Sequence, residues 1–406
     1  MTSVVFVAPF FLETTLRFVD AVARLGGVRT GLISQDPAEK LPPGLRRRLA
    51  AHRRVADGFD PRQIADAVRD LAREIGPPAR LLGALEQLQV PLGEVRDALD
   101  IEGMRAREAR NFRDKARMKD VLAAAGVPCA RHTRVDSEAA ARAFAERVGF
   151  PLVVKPAEGA GARGTYRVGD PEQLAEALAA SRPGPERPTV IEEFVQGEEF
   201  SFDSVSVHGR PVWHSLSHYL PSPLEVVDTP WIQWCVLVPR EVDDSRYDEI
   251  RRVAARALAA LGMGTGLSHM EWFRRADGSI LVSEVGARPP GAQITSLISW
   301  ANDVDFYAAW AELVVFDRFV PPPRPFAAGC AYLRGQGRGR IRAVRGLDET
   351  LRRLGGLVVE HRPPALGAAA SSSYEGDGYV IVRHPETAVV EKALHEVIDN
   401  VRVELA

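Results

Sequence analysis

The first hundred residues alternate short apolar runs with stretches of helical periodicity. Val4–Val7 is an apolar run that Pro9 ends, and Arg29–Ser34 is a second run of the same type, so both predict buried strands. Helical spacing predicts helices over residues 14–25, 44–54, 60–75, 81–88 and 92–99. This alternation predicts an open parallel sheet with helices on both faces. No GxGxxG follows the first strand, which argues against a dinucleotide site of the Rossmann type.

The pattern changes after residue 110. Helices are predicted over 115–125, 137–148 and 171–180, and strands over 151–156, 165–168 and 189–194. Residues 197–285 read mostly as strands with one helix over 245–261, and Pro321-Pro322-Pro323 indicates a boundary before a last small α/β segment. The expected fold class is therefore a multidomain mixture of α/β and α+β. The expected division is 1–110, 111–195, 196–320 and 321–406.

Composition and charge narrow the range of functions. The chain has 406 residues, of which 46% are hydrophobic and 26% charged, a balance typical of globular proteins. The 52 basic and 54 acidic residues nearly cancel, so nucleic acid is not an expected partner. Cys129, Cys235 and Cys330 lie far apart and form no CxxC pair, so neither a zinc cluster nor a disulfide framework is expected. Without a basic leader or an apolar run of roughly 20 residues, we expect a cytoplasmic protein that does not span a membrane.

Lys155 ends an apolar strand and precedes a loop of small residues that contains Gly159, Gly161 and Gly164. A lysine fixed at a strand end supplies a point charge, and a loop without bulky side chains lets backbone N–H groups approach a polyphosphate. Lys115, on the preceding predicted helix, offers a second positive charge. A plain surface turn remains the alternative for this loop taken alone.

Acidic residues cluster where the next strand leaves the sheet. Glu192 and Glu193 end an apolar run, and Glu199 follows a predicted kink at Gly197. Backbone groups at Glu193 and Val195 are suited to a purine edge, and the Glu199 carboxylate is suited to ribose hydroxyls. An acidic turn exposed to solvent is the alternative for this segment alone.

A predicted hairpin carries two further carboxylates. Glu271 lies in its first strand and Glu284 in its second, with a turn at Asp277-Gly278 between them. If the two carboxylates share a face, they form a pair of hard oxygen ligands suited to Mg²⁺. Arg288 follows, where its guanidinium is suited to a carboxylate or a phosphate. The apolar flanks weigh against simple exposure, because unpaired buried charges are costly.

In this order and spacing, the three segments resemble the ATP-grasp superfamily, in particular its carboxylate–amine ligases. The likeness runs from about residue 111 to 295, and it implies two packed ATP-grasp subdomains between the N-terminal unit and the C-terminal piece. It also implies roles for the matching residues. Nucleotide contacts fall to Lys115, Lys155, the glycine-rich flap (Gly159, Gly161, Gly164), the adenine hinge (Glu192, Glu193, Val195) and the ribose carboxylate Glu199. Metal binding falls to Glu271 and Glu284, and the acyl phosphate to Arg288.

The resemblance implies ATP and Mg²⁺ as cofactors, with Mn²⁺ as the alternative ion. The implied reaction joins a small-molecule carboxylate and an amine, expected to be amino acids, and a homodimer is a common family arrangement. Many members carry Asn two residues after the second metal glutamate, where this chain has Gly286, so the number of metal ions stays open. Glu86 also resembles a helical glutamate of related ligases. A carboxylase or formyl-phosphate transferase and a silent ATP-binding module remain the alternative functions.

Three further features of the central region also allow an interpretation. His214 and His218 lie four residues apart on a predicted strand, and without a third ligand nearby a metal site is disfavoured. His269 is expected to support Glu271 by hydrogen bonding. The segment from Tyr219 to Trp234, which includes Trp231, is interpreted as a loop that lines the acceptor pocket, with an apolar cover for the sheet as the alternative.

Overall fold

A computed structural model of the chain describes residues 1–158, 164–184, 187, 189–221, 233–335, 337–371 and 375–406. The strands of these residues form four sheets, which follow one another along the sequence with overlap only near the C-terminus. No helix of the described residues is long and apolar enough to cross a membrane.

The N-terminal sheet is parallel and its strands follow the order β3-β2-β1-β4. The strands are β1 (Thr2–Val7), β2 (Val28–Ser34), β3 (Ala51–Arg54) and β4 (Pro78–Leu82). The helices are α1 (Glu13–Ala23), α2 (Pro43–Arg48), α3 (Pro61–Ile75) and α4 (Gln89–Leu99), with short 3-10 turns at Ala38–Lys40 and Glu86–Leu88. The Asp60 carboxylate accepts from the Arg62 N–H, so it caps α3. Apolar residues fill both faces of the sheet, which confirms the predicted open α/β unit.

Two helix predictions in this unit are wrong in part. Residues 51–54 continue into strand β3, because this polar edge segment pairs with β2 through its backbone. Residues 81–82 belong to strand β4, and only a 3-10 turn follows at Glu86–Leu88. A short apolar run does not distinguish a buried strand from a helix by periodicity, and here pairing with β1 decides.

A small antiparallel sheet follows, with the order β5-β8-β6-β7. Its strands are β5 (His132–Val135), β6 (Leu152–Pro156), β7 (Tyr166–Val168) and β8 (Thr189–Glu193). The helices of this region are α5 (Ala106–Arg113), α6 (Lys115–Ala124), α7 (Glu138–Val148) and α8 (Pro171–Ser181). Asp114 caps α6 through the N–H groups of Ala116 and Arg117. One apolar cluster fixes α7 and α8 against the sheet.

The largest sheet has eight antiparallel strands in the order β13-β12-β9-β10-β11-β14-β17-β16. Its strands are β9 (Glu198–Val207), β10 (Arg210–Leu220), β11 (Cys235–Val238), β12 (Gly266–Arg274), β13 (Ile280–Gly286), β14 (Ala327–Leu333), β16 (Val358–Arg362) and β17 (Gly378–His384). The accompanying helices are α9 (Asp248–Leu261), α10 (Ile294–Asn302), α11 (Phe306–Phe316), α12 (Leu347–Leu354) and α13 (Thr387–Asn400), with 3-10 turns at Ser245–Tyr247 and Gly355–Leu357. The predicted hairpin is confirmed as β12 and β13.

The C-terminal segment contributes to two sheets. Strands β14, β16 and β17 extend the large sheet. The last strand, β18 (Arg402–Leu405), pairs with β15 (Ile341–Arg345) in a separate two-stranded sheet. The sequence pattern does not predict β18, because four residues carry too little periodicity. The mixed α/β and α+β fold class is confirmed.

Candidate functional site

One cavity lies between the small sheet and the large sheet and collects most of the residues that the sequence singles out. Helix α6 contributes lysines, β6 and β8 contribute residues of the small sheet, and β9, β12 and β13 contribute carboxylates of the large sheet. The predicted site residues that line this cavity are Lys115, Lys155, Glu192, Glu193, Val195, Glu199, Glu271, Glu284 and Arg288. Residues scattered over about 170 positions of the chain therefore meet in one place.

Lys155 is paired with a buried carboxylate. Its Nζ lies 2.5 Å from Glu192 Oε1, and the other carboxylate oxygen lies 2.9 Å from Nζ of Lys119. Burial raises the pKa of Glu192, but the two ammonium groups outweigh burial and lower it to about 2. Burial likewise opposes the charged form of Lys155, yet the nearby carboxylates of Glu192 and Glu284 raise its pKa. Both groups are therefore charged near neutral pH.

This pairing differs from the predicted adenine-hinge role of Glu192, because its side chain is engaged by two lysines. Lys119 is a site residue that the sequence pattern does not single out. It lies one helical turn after Lys115 on α6 and is 1% exposed. The i, i+4 spacing of two lysines on one helix face is the only signal for it in the sequence.

Glu271 and Glu284 face each other across the hairpin. They are direct partners in the β12–β13 register, and opposite residues of an antiparallel pair project from the same face. The expectation that the two carboxylates share one face is met. Nζ of Lys115 lies 2.8 Å from Glu284 Oε1. Burial opposes the charged form of Glu284, but Lys115 and Lys155 lower its pKa.

The carboxylates of this cavity fit a bound cation. Glu199 lies on β9 beside β12, and burial together with Glu271 raises its pKa well above the ordinary range. Negative charge is thus concentrated at one side of the cavity, where a divalent ion would offset it. Among the described residues no set of three or more His, Cys, Asp or Glu side chains forms a metal cluster. The facing Glu271 and Glu284 are the residues of this cavity that could supply carboxylate oxygens to an ion.

The segment that the sequence predicts as an adenine hinge is the connection from β8 to β9. The N–H of Glu193 donates to the Arg131 carbonyl over 2.9 Å, so it is not free for a purine, and the Glu193 carboxylate pairs with the Arg131 guanidinium. Val195 is buried and lines the cavity. A Cβ at Gly197 would lie 2.5 Å from the Arg274 carbonyl oxygen, so the kink requires glycine.

Arg288 lies just beyond the hairpin, between the large sheet and the N-terminal unit. Its Nε donates to Glu86 Oε2 over 2.5 Å, and its Nη1 donates to the Pro289 carbonyl over 2.9 Å. Glu86 lies in the 3-10 turn that follows β4, at the carboxyl end of a parallel strand. Glu86, which resembles a helical glutamate of related ligases, therefore lines the cavity and contacts Arg288.

The cavity wall opposite α6 contains a buried histidine. His269 Nδ1 lies 2.7 Å from Asp203 Oδ1, whereas its Nε2 is 3.8 Å from Glu271 Oε1. Burial lowers the pKa of His269, but Asp203 more than compensates and raises it to about 9. The hydrogen bond expected between His269 and Glu271 is therefore made chiefly to Asp203, a residue absent from the sequence prediction.

His214 and His218 form no metal site within the described part of the chain. The ring of His214 stacks on Phe202, and Nε2 of His218 lies 3.0 Å from the Tyr247 hydroxyl. Tyr219 and Trp234, the ends of the predicted acceptor loop, line the cavity and also belong to an apolar cluster on the large sheet, so both interpretations of this segment stay predictions.

The described residues include only part of the predicted flap and acceptor loop. Gly159, Gly161 and Trp231 lie outside the described residues. Gly164 is described, with φ +70, in the left-handed region that favours glycine. The three cysteines are free thiols, of which Cys235 and Cys330 are buried.

A two-sheet sandwich around lysines and carboxylates is the arrangement of an ATP-grasp protein, and the ATP-grasp domain model matches residues 120–299. The family is thus shown for the domain over residues 120–299. It is 31% identical over 201 residues to a D-alanine–D-alanine ligase of Stutzerimonas stutzeri, which covers 46% of this chain and 59% of that protein. It is 24% identical over 248 residues to an L-arginine-specific L-amino acid ligase of Bacillus subtilis, which covers 60% of this chain and 59% of that protein.

Among solved structures, the L-amino acid ligase from Bacillus licheniformis superposes with a TM-score of 0.80. Its sequence identity is 20%, and the match covers 100% of this chain and 99% of that one. This likeness shows the fold. The chain spans about three fifths of the length of each of the two curated relatives above.

Proposed function

We propose that this chain is an ATP-dependent carboxylate–amine ligase that forms an amide bond through an acyl phosphate and releases ADP and phosphate. The observation that carries the proposal is that Lys155 and Glu284 line one cavity with Lys115, Glu271 and Arg288. Polyphosphate binding accounts for the lysines. The arginine adds a group that binding of a nucleotide alone does not need, which favours catalysis over a silent ATP-binding module.

The nucleotide takes the space between the two sheets in this proposal. Lys115 and Lys155 contact its phosphates, and Glu199 accepts hydrogen bonds from the ribose. Glu193 and Val195 form the side of the adenine pocket, and the flap that contains Gly159, Gly161 and Gly164 closes over the triphosphate. Because Lys155 is held by Glu192 over 2.5 Å, its contact with phosphate competes with an existing ion pair.

Glu271 and Glu284 would hold Mg²⁺, or Mn²⁺ in its place. When bound, such an ion supplies a positive charge that offsets the negative oxygens of the transferring phosphoryl group. The cavity fits this role because Glu271 and Glu284 are direct partners across the hairpin and both line it.

The chain's own residues act mainly by position and charge. The substrate carboxylate attacks the γ-phosphorus of ATP, ADP leaves, and the lysines stabilise the charge on the phosphoryl oxygens. An amine then attacks the acyl carbon, and phosphate leaves. Arg288 steadies the acyl phosphate and the tetrahedral oxyanion, a contribution of roughly 3 kcal/mol for a well-placed donor. Closure of the site excludes water that would hydrolyse the intermediate.

The proposed substrates are amino acids, because the two curated relatives carry names of ligases that act on alanine and on L-amino acids. The cavity also contains the guanidinium of Arg288, a group suited to a carboxylate or to its acyl phosphate. The free thiols and the use of ATP fit a reducing compartment, and we propose that the enzyme acts in the cytoplasm as a homodimer. We also propose that the chain divides into domains after residues 110, 195 and 320.

A release assay separates the candidate reactions. The protein is incubated with ATP and Mg²⁺, and ADP is measured with a mixture of amino acids, with bicarbonate, with formate, and with no addition. Stimulation by amino acids, with a dipeptide detected by mass spectrometry, supports the ligase. Stimulation by bicarbonate or formate alone indicates a carboxylase or a formyl-phosphate transferase. ATP binding without turnover under any condition indicates a silent module.

A further inference from the structure

Glu86 belongs to the N-terminal unit and contacts Arg288, the residue proposed to bind the acyl phosphate. Its carboxylate is 6% exposed, and it lines the same cavity as Lys155 and Glu284. Its partner is Nε of Arg288, at 2.5 Å. A charge-assisted hydrogen bond to Nε is among the stronger polar contacts in a protein, and a buried one is screened little by solvent.

The contacts of Arg288 hold its guanidinium from two sides. Nε donates to Glu86, while Nη1 donates to the carbonyl of Pro289 over 2.9 Å. Because the guanidinium is planar and rigid, these two bonds together fix its plane. The edge that would meet an acyl phosphate is therefore oriented before substrate binds.

Gly286 provides the space that this pair occupies. A Cβ built on Gly286 would lie 3.1 Å from Glu86 Oε2 and 3.5 Å from Cγ of Arg288. The backbone of Gly286 is ordinary strand β13, outside the left-handed region, so the missing side chain is not required by backbone conformation. What would oppose a side chain at position 286 is the Glu86–Arg288 pair itself.

We propose that Glu86 is a positioning residue that orients Arg288 toward the acyl phosphate, and that Gly286 makes room for it. The inference rests on the proposed ligase function. It adds a residue of the N-terminal unit to the reaction centre and explains why a glycine follows the second metal carboxylate by two positions.

Nuclear magnetic resonance tests the contact without reference to turnover. In protein labelled with ¹⁵N-arginine, the Nε–H signal of Arg288 is assigned by its loss in Arg288→Lys. We expect that signal to exchange slowly with water in the wild type. Glu86→Gln and Gly286→Ala should each speed its exchange, and Glu391→Gln and Gly356→Ala are the matched controls. Glu391 is exposed, and a Cβ at Gly356 meets nothing within 4 Å.

Turnover then tests the consequence. Orientation errors at a reacting centre cost rate steeply, so Glu86→Gln should lower the amount of amide formed per ADP by roughly tenfold. A structural role would instead lower both products together. In the Arg288→Lys background the same Glu86 substitution should have little further effect, because Glu86 acts through the guanidinium. In the Glu86→Ala background, Gly286→Ala should have little further effect, because the contact that the new Cβ would disturb is already absent.

The outcomes separate this inference from the proposed function. Fast exchange in Glu86→Gln together with a reduced amide-to-ADP ratio supports the positioning role. Unchanged exchange of the Arg288 Nε–H in Glu86→Gln overturns it, whatever the turnover, and so does full additivity with Arg288→Lys. If the wild type releases no ADP with any amino acid, the ligase proposal fails. The exchange measurement still decides whether Glu86 holds Arg288.

Discussion

Replacing Lys119 with methionine is the perturbation that most clearly tests how charge is arranged in the site. Methionine has nearly the same length, so the change removes the ammonium group while largely keeping the packing of α6. Lys119 is buried, and its Nζ lies 2.9 Å from Glu192 Oε2. After the substitution, Lys155 is the one lysine among the described residues that still pairs with Glu192.

The magnitude follows from the pKa of Glu192. Lysines 119 and 155 together lower it from 4.5 to about 2 against the opposing effect of burial, which corresponds to roughly 3 kcal/mol of stabilisation. The charge of Lys119 is the largest of the favourable causes, so its loss should remove a large share of this stabilisation, on the order of 1.5 kcal/mol at pH 7. Because the folded pKa is depressed, this stabilisation is complete above the unfolded pKa of about 4.3 and is lost as pH falls toward the folded value.

Urea unfolding at several pH values measures this effect. The difference between wild type and Lys119→Met should be constant from pH 7 to pH 5 and should shrink below that. We also expect the KM for ATP to rise, because Glu192 then holds Lys155 more strongly. Lys392→Met, at an exposed lysine, is the control. Equal stability of Lys119→Met and the control, or a difference that grows in acid, would refute the reasoning.

Three further variants test the site and the hinge. Lys155→Ala and Glu284→Gln should each reduce ADP release by roughly a hundredfold or more, because each removes charge that faces the phosphates; near-normal turnover in either variant would contradict its role. Gly197→Ala should lower the free energy of unfolding by about 2 kcal/mol, because its Cβ would lie 2.5 Å from the Arg274 carbonyl. An unfolding midpoint equal to that of Gly356→Ala would argue against a required glycine.

The parts of the fold with long, regular patterns could be predicted from the sequence. Strand β1 and helix α3 have clear periodicity, and α3 also carries a cap at Asp60 and proline at its first position. Residues 51–54 and 78–82 could not be predicted correctly. Their strand structure depends on pairing with β2 and β1, which no local pattern records.

The site likewise combines features that follow from local sequence patterns with contacts that only the fold creates. The sequence places Glu271 and Glu284 on the two strands of one hairpin, but it does not predict that they face each other, because a bulge between Glu271 and Trp272 shifts the register that the turn would set. The partners of Glu192, Arg288 and His269 come from distant segments, and sequence spacing does not show which charges will meet. Lys119 and Asp203 were missed for this reason. A lysine on a helix or an aspartate on a strand is ordinary until the fold buries it beside an opposite charge.

The central claim is that the cavity activates a carboxylate as an acyl phosphate. The direct measurement uses an amino acid whose carboxylate oxygens are ¹⁸O, with ATP, Mg²⁺ and an amine acceptor, followed by mass spectrometry of the released phosphate. The account predicts that each phosphate formed with amide product carries one ¹⁸O, taken from the carboxylate when the acyl phosphate breaks down. Amide formation with no ¹⁸O in the phosphate would contradict it.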